Sequence, residues 1–236
     1  MKNRNVTNFK MSTKNWQLSP SDFAFLWEEC KRCFYLRAQK FNRPRSIMPK
    51  IFMVIDSKMK EFYQNKQLET VVAGFPPGRV EFGEKWVESK PIVLPGLKST
   101  CTIKGKFDTA VKFNDGTYGV IDFKTAAAKS EHIPLYARQL HSYAYALENS
   151  APGALSLAPV SKLGLLVYEP NNFTMQDTIS ASLKGSVSWL EIQRNDKEFI
   201  EFLKEVVTVL EQPNPPGGSP ECEWCKYRDT SRRIGL

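Results

Sequence analysis

The chain has 236 residues, of which 42% are hydrophobic and 25% charged, a composition typical of one large globular domain. No apolar run is long enough to span a membrane and no secretory core follows the charged start, so we expect a cytoplasmic protein without a membrane partner. The net charge of +8 permits a polyanionic partner, and five cysteines, an odd number, argue against a disulfide framework.

The first helix is predicted after a polar, basic start. Residues 1–17 lack a hydrophobic period, and we expect them to form a flexible tail. The next stretch, "SPSD", is a capping-box pattern, with Ser19 as N-cap, Pro20 at the first helical position and Asp22 at the third. The predicted helix extends to about Lys40.

A second helix is predicted in "KIFMVIDSKMKEFYQNK", because apolar residues recur there at helical spacing. Its apolar stripe contains Phe52, Ile55, Met59 and Phe62 or Tyr63. After it, "GFPPGR" predicts a loop and "KWVESKPIVL" a strand.

The remaining elements alternate between strand and helix. Two strands joined by "NDG" are followed by a helix in "PLYARQLHSYAYALEN", a strand in "KLGLLVYEP", a further strand as one interpretation of "GSVSWLEIQ", and a helix in "DKEFIEFLKEVVTVLEQ". This order predicts the α/β (α+β) class, with a central mixed sheet that contains an antiparallel meander and is flanked by helices. We assign residues 18–212 to this domain and residues 213–236 to a Pro/Gly-rich linker and a cysteine-containing tail that packs on the first helix.

The "NDG" turn sets the register of the two strands around it. A two-residue loop would mix polar and apolar faces, whereas a three-residue loop pairs Phe113 with Thr117 and Phe107 with Phe123. Because apolar residues then face apolar residues, we predict the three-residue loop, with Gly116 in the left-handed conformation.

This register places Asp108 opposite Asp122, in strands where aspartate is disfavoured. Opposed like charges destabilise a strand pair unless one carboxyl group is protonated or a divalent cation lies between them. Two carboxylates, a carbonyl and waters suit Mg²⁺ or Mn²⁺, and Lys124 emerges on the same face, where it can orient a water or stabilise negative charge. A solvated hairpin face with mixed charges is the alternative.

In combination, "GKFD", "VIDFKT" and "QLHSYAYAL" resemble the PD-(D/E)xK nuclease superfamily, in its RecB-like and CRISPR-associated exonuclease branch. The resemblance extends from "LSPSDFAFLWEECKRCFYL" to the C-terminal cysteines. It implies a restriction-endonuclease-like core, with Asp108, Asp122 and the backbone carbonyl of Phe123 as metal ligands and Lys124 as the catalytic lysine.

The resemblance also implies functional residues on two helices. Gln139 and Tyr143 match a Q-x-x-x-Y motif, and their spacing puts them on one helical face that can reach the site or DNA, although Tyr143 also fits the apolar stripe. The best match to an upstream acidic or imidazole ligand is Asp56, either as a water-mediated ligand or as a polar border residue. His141 flanks the motif and is expected to face solvent.

Four cysteines form two CxxC pairs, a pattern typical of zinc or iron–sulfur sites. They are Cys30, Cys33, Cys222 and Cys225. The resemblance implies a [4Fe–4S] cluster with one N-terminal and three C-terminal cysteines, but Ser231 stands at the last position here, so Cys33 is the candidate replacement in a two-plus-two arrangement. Free cysteines are the alternative, and Cys101 is expected in the core.

We interpret the sequence as a Mg²⁺- or Mn²⁺-dependent deoxyribonuclease that hydrolyses phosphodiester bonds through a metal-activated water. Its Lys and Arg side chains are expected to contact the DNA backbone with little sequence specificity. The resemblance further suggests exonuclease action in repair, recombination, end processing or CRISPR adaptation, with protein partners in such a complex.

Two other interpretations stay open at this point. The chain could be a catalytically inactive relative that serves as a DNA-binding subunit, with Asp56 and Ser231 as signs of decay. It could also be a zinc or iron–sulfur protein in which the hairpin acids are incidental.

Overall fold

Two mixed β-sheets with helices against them make up the structure, a computed structural model that describes residues 14–44, 47–126 and 133–235. The strands are β1 (Asn15–Leu18), β2 (Gly78–Gly83), β3 (Trp86–Glu88), β4 (Ile92–Val93), β5 (Thr100–Lys106), β6 (Thr109–Phe113), β7 (Tyr118–Thr125), β8 (Val160–Met175) and β9 (Ala181–Ile192). The helices are α1 (Trp27–Glu29), α2 (Lys31–Ala38), α3 (Lys50–Tyr63), α4 (Ile133–Glu148), α5 (Asp196–Leu210) and α6 (Glu223–Arg233), with a π-helical turn at Asp22–Leu26 and a 3₁₀ turn at Leu68–Thr70. This architecture confirms the predicted α/β class with mixed sheets flanked by helices.

The strands β5 and β6 belong to different sheets, although only Phe107 and Asp108 separate them. In the first sheet, β5 pairs in parallel with β1 and in antiparallel with β3 and β4. The second sheet has the order β2-β6-β7-β8-β9, in which β7 and β8 are the parallel pair. One predicted strand therefore bends at Asp108 and passes from one sheet to the other.

The second sheet separates two apolar clusters, because successive strand residues point to opposite faces. Val120 points to the larger cluster, which contains Leu140 of α4. Ile121 points to the smaller one, which contains Tyr63 of α3. Asp122 shares the parity of Val120 and so lies on the side that α4 covers.

The N-terminal prediction was wrong in part. A strand begins at Asn15 and pairs with β5, whereas residues 1–13 of the predicted tail lie outside the described residues. In place of the predicted capping box, the Ser19 Oγ contacts the Ser21 Oγ at 3.0 Å and the Asp22 N–H donates to the Ser19 carbonyl at 3.1 Å.

The first predicted helix is interrupted at Cys30. This residue has extended backbone angles, φ −165° and ψ 105°, and separates α1 from α2. The second piece ends at Ala38, two residues before the predicted end. The interruption makes Cys30 the N-cap of α2 instead of a residue inside one long helix.

The loop predicted in "GFPPGR" also needs correction, because β2 begins at Gly78. A Cβ atom at Gly78 would lie 2.6 Å from the Phe113 ring of the paired strand. The glycine therefore allows a close approach between strands and does not mark a turn.

The apolar stripe of α3 is buried only near the end of the helix. Tyr63 is buried and Met59 packs against the smaller cluster, but Phe52 is 44% exposed and Phe62 is exposed. Tyr63, at the end of α3, stacks on Phe123 of β7, so the end of the helix packs on the second sheet.

The C-terminal tail contains α6, a helix that the sequence interpretation did not include. No helix within the described ranges combines the length and apolar character needed to cross a lipid bilayer.

Candidate active site

The hairpin between β6 and β7 has the predicted register. Val111 pairs with Gly119, the Phe113 N–H donates to the Thr117 carbonyl at 2.9 Å, and Gly116 has a φ of 86°. The three-residue turn is therefore confirmed, and the left-handed conformation explains why glycine occupies its last position.

The pairing stops at Thr109, and the predicted contact between Phe107 and Phe123 is wrong. Phe107 packs in the larger apolar cluster, whereas Phe123 lies in the smaller one and stacks on Tyr63 at 5.6 Å between ring centroids. The cause is the bend at Asp108, which carries the preceding residues into the first sheet.

Asp108 and Asp122 nevertheless converge. The bend turns Asp108 toward β7, where its Oδ2 accepts a hydrogen bond from the Phe123 N–H at 3.1 Å. The two carboxyl groups are close enough that the charge of Asp108, and a hydrogen bond to it, raise the pKa of Asp122. The two acids thus share one site, as the register predicted, although Asp108 lies outside the strand ladder.

Asp122 is 4% exposed and occupies the centre of this site. Its Oδ1 accepts a hydrogen bond from the Gln139 Nε2 at 3.2 Å, whereas its Oδ2 forms an ion pair with the Lys124 ammonium. Burial is the main cause of the raised pKa of Asp122; Lys124 opposes it and Asp108 adds to it. The ion pair and the hydrogen bond offset part of the cost of burying this carboxyl group.

Lys124 lies between its acidic partner and an aromatic wall. Its Nζ forms an ion pair with Asp122 and lies 4.7 Å from the ring centroid of Tyr136 and 6.0 Å from that of Phe25. Burial lowers the pKa of Lys124, but the carboxylates of Asp122 and Asp108 outweigh burial and leave this pKa raised. Lys124 is therefore an ammonium ion at neutral pH.

Gln139 and Tyr143 line the same side of the site, as the Q-x-x-x-Y spacing predicted. Both side chains are buried, and their polar ends lie 3.5 Å apart. The Tyr143 hydroxyl donates to the carbonyl of Lys106 at 2.9 Å, while the Gln139 Oε1 has no hydrogen bond from the described residues. Tyr143 is thus a core residue that also contacts Gln139 and the end of β5.

Lys60 and Glu84 are two charged residues of the site that sequence reasoning missed. The Lys60 Nζ lies 2.8 Å from Asp56, 3.2 Å from Glu84 and 2.9 Å from Asp108. Burial disfavours the Lys60 ammonium, but hydrogen bonds to Asp56 and Asp108 raise its pKa overall. Asp56 thus reaches Asp108 through the Lys60 ammonium.

A weak sequence signal existed for one of these two residues. Asp56 and Lys60 have the i,i+4 spacing of a helical ion pair, whereas nothing local marks Glu84. The φ of Glu84 is 45°, and its N–H donates to the Asp108 carbonyl at 2.8 Å, so this contact depends on the bend between the sheets.

A basic groove leads to the acids. It is a cavity of about 630 Å³ that ends at Asp108, Gln139 and Tyr143. Its basic lining residues are Arg37, Lys40, Lys104 and Lys106. Trp86 also lines the groove and is 63% exposed. The groove therefore offers positive charge and an open aromatic ring next to the carboxylates.

The four cysteines of the two CxxC pairs lie together, buried, on the other end of α2. The Cys33 Sγ lies 3.7 Å from the Cys222 Sγ and 3.6 Å from the Cys225 Sγ. Burial raises the pKa of Cys30, but hydrogen bonds, chiefly from the backbone of Ser219 and Cys33, lower it to about 7. The four cysteines pack against each other, and this contact joins the C-terminal segment to the N-terminal helices.

His141 does not face solvent, contrary to the expectation. It is buried and stacks on Phe199 at 5.9 Å between ring centroids, and its Nε2 accepts a hydrogen bond from the Asn195 N–H at 2.7 Å. His141 therefore joins α4 to the start of α5 and lies apart from the acids. Cys101 is buried in the core, as predicted.

The acidic pair fits a divalent cation. Asp108 and Asp122 converge, and the charge of Asp108 raises the pKa of the buried Asp122. Carboxylate oxygens are the ligands that Mg²⁺ and Mn²⁺ prefer. The repulsion that raises the pKa of Asp122 would be relieved by such an ion.

The fold and the site together define a class of protein. Mixed sheets flanked by helices carry a hairpin, and two aspartates and a lysine converge where one of its strands bends. A family model described as the PD-(D/E)XK nuclease superfamily matches residues 38–230, and the chain therefore belongs to this superfamily. Membership points to a nuclease, and a nuclease fold implies DNA binding; members generally use divalent metals. The RecB-like branch stays a prediction.

Comparison with solved structures finds 16 matching chains. One of them is titled "Crystal structure of SSO0001"; it has a TM-score of 0.44 and 16% sequence identity, and the match covers 85% of this chain and 79% of that chain. The search of curated proteins gave no match.

Proposed function

We propose that the protein is a Mg²⁺- or Mn²⁺-dependent deoxyribonuclease that hydrolyses phosphodiester bonds. The observation that carries this proposal is the convergence of Asp108 and the buried Asp122 on one site, beside the Lys124 ammonium. Membership of the nuclease superfamily supports the same chemistry.

Three ligands from the chain would hold the ion, namely Asp108, Asp122 and the backbone carbonyl of Phe123. When bound, a divalent cation lowers the pKa of a water and polarises the phosphate. Asp56 is proposed to act on this site through Lys60, because that ammonium lies between it and Asp108.

Lys124 is proposed to be catalytic as a cation. Its raised pKa favours stabilisation of the negative charge that develops on the phosphate over abstraction of a proton from water. Gln139 donates a hydrogen bond to the Asp122 Oδ1, and the Tyr143 hydroxyl contacts both Gln139 and the Lys106 carbonyl at the end of β5. Both residues are proposed to keep the acid in place.

DNA is proposed to bind along the basic groove. Arg37, Lys40, Lys104 and Lys106 line it and suit contacts with phosphates, which carry little sequence information. Trp86 suits stacking on a base of a single strand. Exonuclease action and a role in repair, recombination, end processing or CRISPR adaptation, with protein partners there, rest on the motif resemblance alone.

The test is cleavage of end-labelled single- and double-stranded DNA and of closed circular DNA, each with Mg²⁺, Mn²⁺ or EDTA. The wild-type protein is compared with Asp122→Ala and Lys124→Ala, and with the matched hairpin variants Asp115→Asn and Lys112→Ala, which change an exposed turn acid and an exposed strand lysine. We expect metal-dependent cleavage that the first two variants lose and the last two keep. Attack on linear DNA alone would support exonuclease action.

Two outcomes would count against this proposal. Cleavage that survives Asp122→Ala and Lys124→Ala would move the active site elsewhere. DNA binding without cleavage of any substrate would favour the inactive DNA-binding subunit.

A further inference from the structure

The two CxxC pairs occupy equivalent positions on two helices. Cys30 is the N-cap of α2 and Cys222 is the N-cap of α6, both with extended backbone angles, and Cys33 and Cys225 follow three residues later. The N-terminal ends of both helices therefore meet at the four sulfur atoms. The partial positive charge of a helix N-terminus stabilises thiolates, the form of cysteine that binds metals.

The distances between the sulfur atoms distinguish the metal groups that the cysteines could hold. The Sγ to Sγ distances are 3.7 Å for Cys30 and Cys225, 3.7 Å for Cys33 and Cys222, and 3.6 Å for Cys33 and Cys225. All four ligand atoms lie within 4.8 Å of one another. Four sulfurs at about 2.3 Å from one tetrahedral zinc ion lie about 3.8 Å apart, close to the three given distances, and the other three pairs lie within 4.8 Å.

A [4Fe–4S] cluster does not fit this arrangement. Each cysteine of such a cluster binds a different iron, so the four sulfurs lie outside the corners of a cube and much further apart than ligands of a single ion. The backbone also closes the site, since a Cβ atom at Gly218 would lie 3.1 Å from the Cys225 Sγ. Ser231, at the position of the expected last cluster cysteine, lies within α6 and donates to the Tyr227 carbonyl at 2.9 Å.

Two arginines supply the countercharge that a tetrathiolate site needs. The Arg43 Nη2 lies 3.1 Å from the Cys222 Sγ, and Cys225 contributes to the raised pKa of Arg32. A zinc ion with four thiolates has a formal charge of about −2, and both guanidinium groups, which also pair with Glu29 and Asp229, place positive charge beside it. Arg43 also forms two hydrogen bonds of 2.7 Å with Glu29, so the segment after α2 is fastened to the same site.

We propose that Cys30, Cys33, Cys222 and Cys225 bind one tetrahedral Zn²⁺ ion. Because all four ligands come from the chain, the site is closed and structural, and it fastens α6 to α2. This zinc site is separate from the acidic pair, and its existence does not depend on nuclease activity.

The test is the metal content of the protein purified without oxygen and without added metal. We expect about one zinc per chain, no iron and no acid-labile sulfide. Exchange of zinc for Co²⁺ should give the intense visible bands of a tetrahedral cobalt thiolate. Cys33→Ser should lower the zinc affinity by more than the roughly tenfold that loss of an outer partner costs, while Cys101→Ser, which changes a buried cysteine of the core, should leave it unchanged.

Other results would overturn the zinc assignment. Iron with acid-labile sulfide in the wild-type protein would establish a cluster, and retention of that cluster by Cys33→Ser would assign it to the other cysteines. Wild-type protein without bound metal would show that the cysteines pack as free thiols. The results that decide between zinc, a cluster and free thiols come from the wild-type protein, so they stand even if a cysteine variant fails to fold.

Discussion

Asp122 is the residue on which the proposed chemistry of the site depends. Its carboxyl group is buried and lies near a second acid, and burial is the larger cause of its raised pKa. A strand interior normally excludes such a group. Its position is understandable because Gln139 and Lys124 each contact one of its oxygens. A bound cation would add a further favourable contact to the same carboxylate.

We expect Mn²⁺ binding to depend on the protonation of Asp122. The pKa of this acid is raised to about 7, so below that pH the metal-free site holds a proton that the ion has to displace. Affinity at pH 6 should be about tenfold weaker than at pH 8, since the ionised fraction falls by about that factor. Calorimetry in two buffers of different ionisation enthalpy should detect the released proton at pH 6, and affinity that does not change with pH would contradict the assignment.

Gln139 is expected to matter through Asp122 and not through substrate. The substitution Gln139→Met keeps the side-chain volume but removes the amide that donates to the Asp122 Oδ1. Activity and Mn²⁺ affinity should both fall by about 10- to 100-fold, the usual cost of losing an outer partner of a metal ligand. The control Gln176→Met changes an exposed glutamine and should alter neither quantity.

At the scale of elements, the bend between β5 and β6 forms the site. The alternation of apolar residues predicted the register of the hairpin and the convergence of its acids, because both depend on neighbouring residues in sequence. The bend itself was not predictable, because Phe107 fits the apolar face of a continuous strand in the sequence. The two halves of that strand separate because β5 pairs with β1 and β3, in the other sheet. The contact of Glu84 with Asp108 depends on that bend and was missed for the same reason.

The hairpin of β8 and β9 offers a test of packing in this sheet. A Cβ atom at Gly164 would lie 2.2 Å from the Trp189 ring and 2.6 Å from the Leu190 carbonyl oxygen. Gly164→Ala should therefore lower the free energy of unfolding by about 1–3 kcal/mol, as overpacking does. Urea unfolding measures this, and Gly83→Ala, where a Cβ atom has no neighbour within 4 Å, should not destabilise the protein.

At the scale of the whole molecule, α2 connects the two candidate sites. The cysteines lie at its N-terminal end, and Arg37, near its C-terminal end, lines the basic groove. The two CxxC pairs predicted that the C-terminal segment packs on the first helix, because the ligands of one metal site have to converge. The groove was not predictable, because its basic residues come from distant elements and a net charge does not locate a surface.

DNA affinity should fall as the salt concentration rises, and the lysines of the basic groove should account for part of the dependence of log K on log salt. Removing two phosphate contacts with Lys40→Ala and Lys104→Ala should reduce the slope of log K against log salt by about 1.4 for single-stranded DNA. Fluorescence anisotropy over a range of salt concentrations measures it. The pair Lys112→Ala and Lys197→Ala removes equal charge from exposed residues outside the groove, and an equal change of slope there would contradict the proposed path.

The most direct test of the account is a crystal structure of the protein grown with Mn²⁺, with anomalous diffraction used to locate the ion. We predict an anomalous peak bound by the carboxylates of Asp108 and Asp122, beside Lys124, at the roughly 2.0–2.2 Å typical of small hard divalent ions. A peak on Asp56 and Glu84 in place of these two acids, or no peak at the hairpin at saturating Mn²⁺, would contradict the claim that the two aspartates converge on one cation.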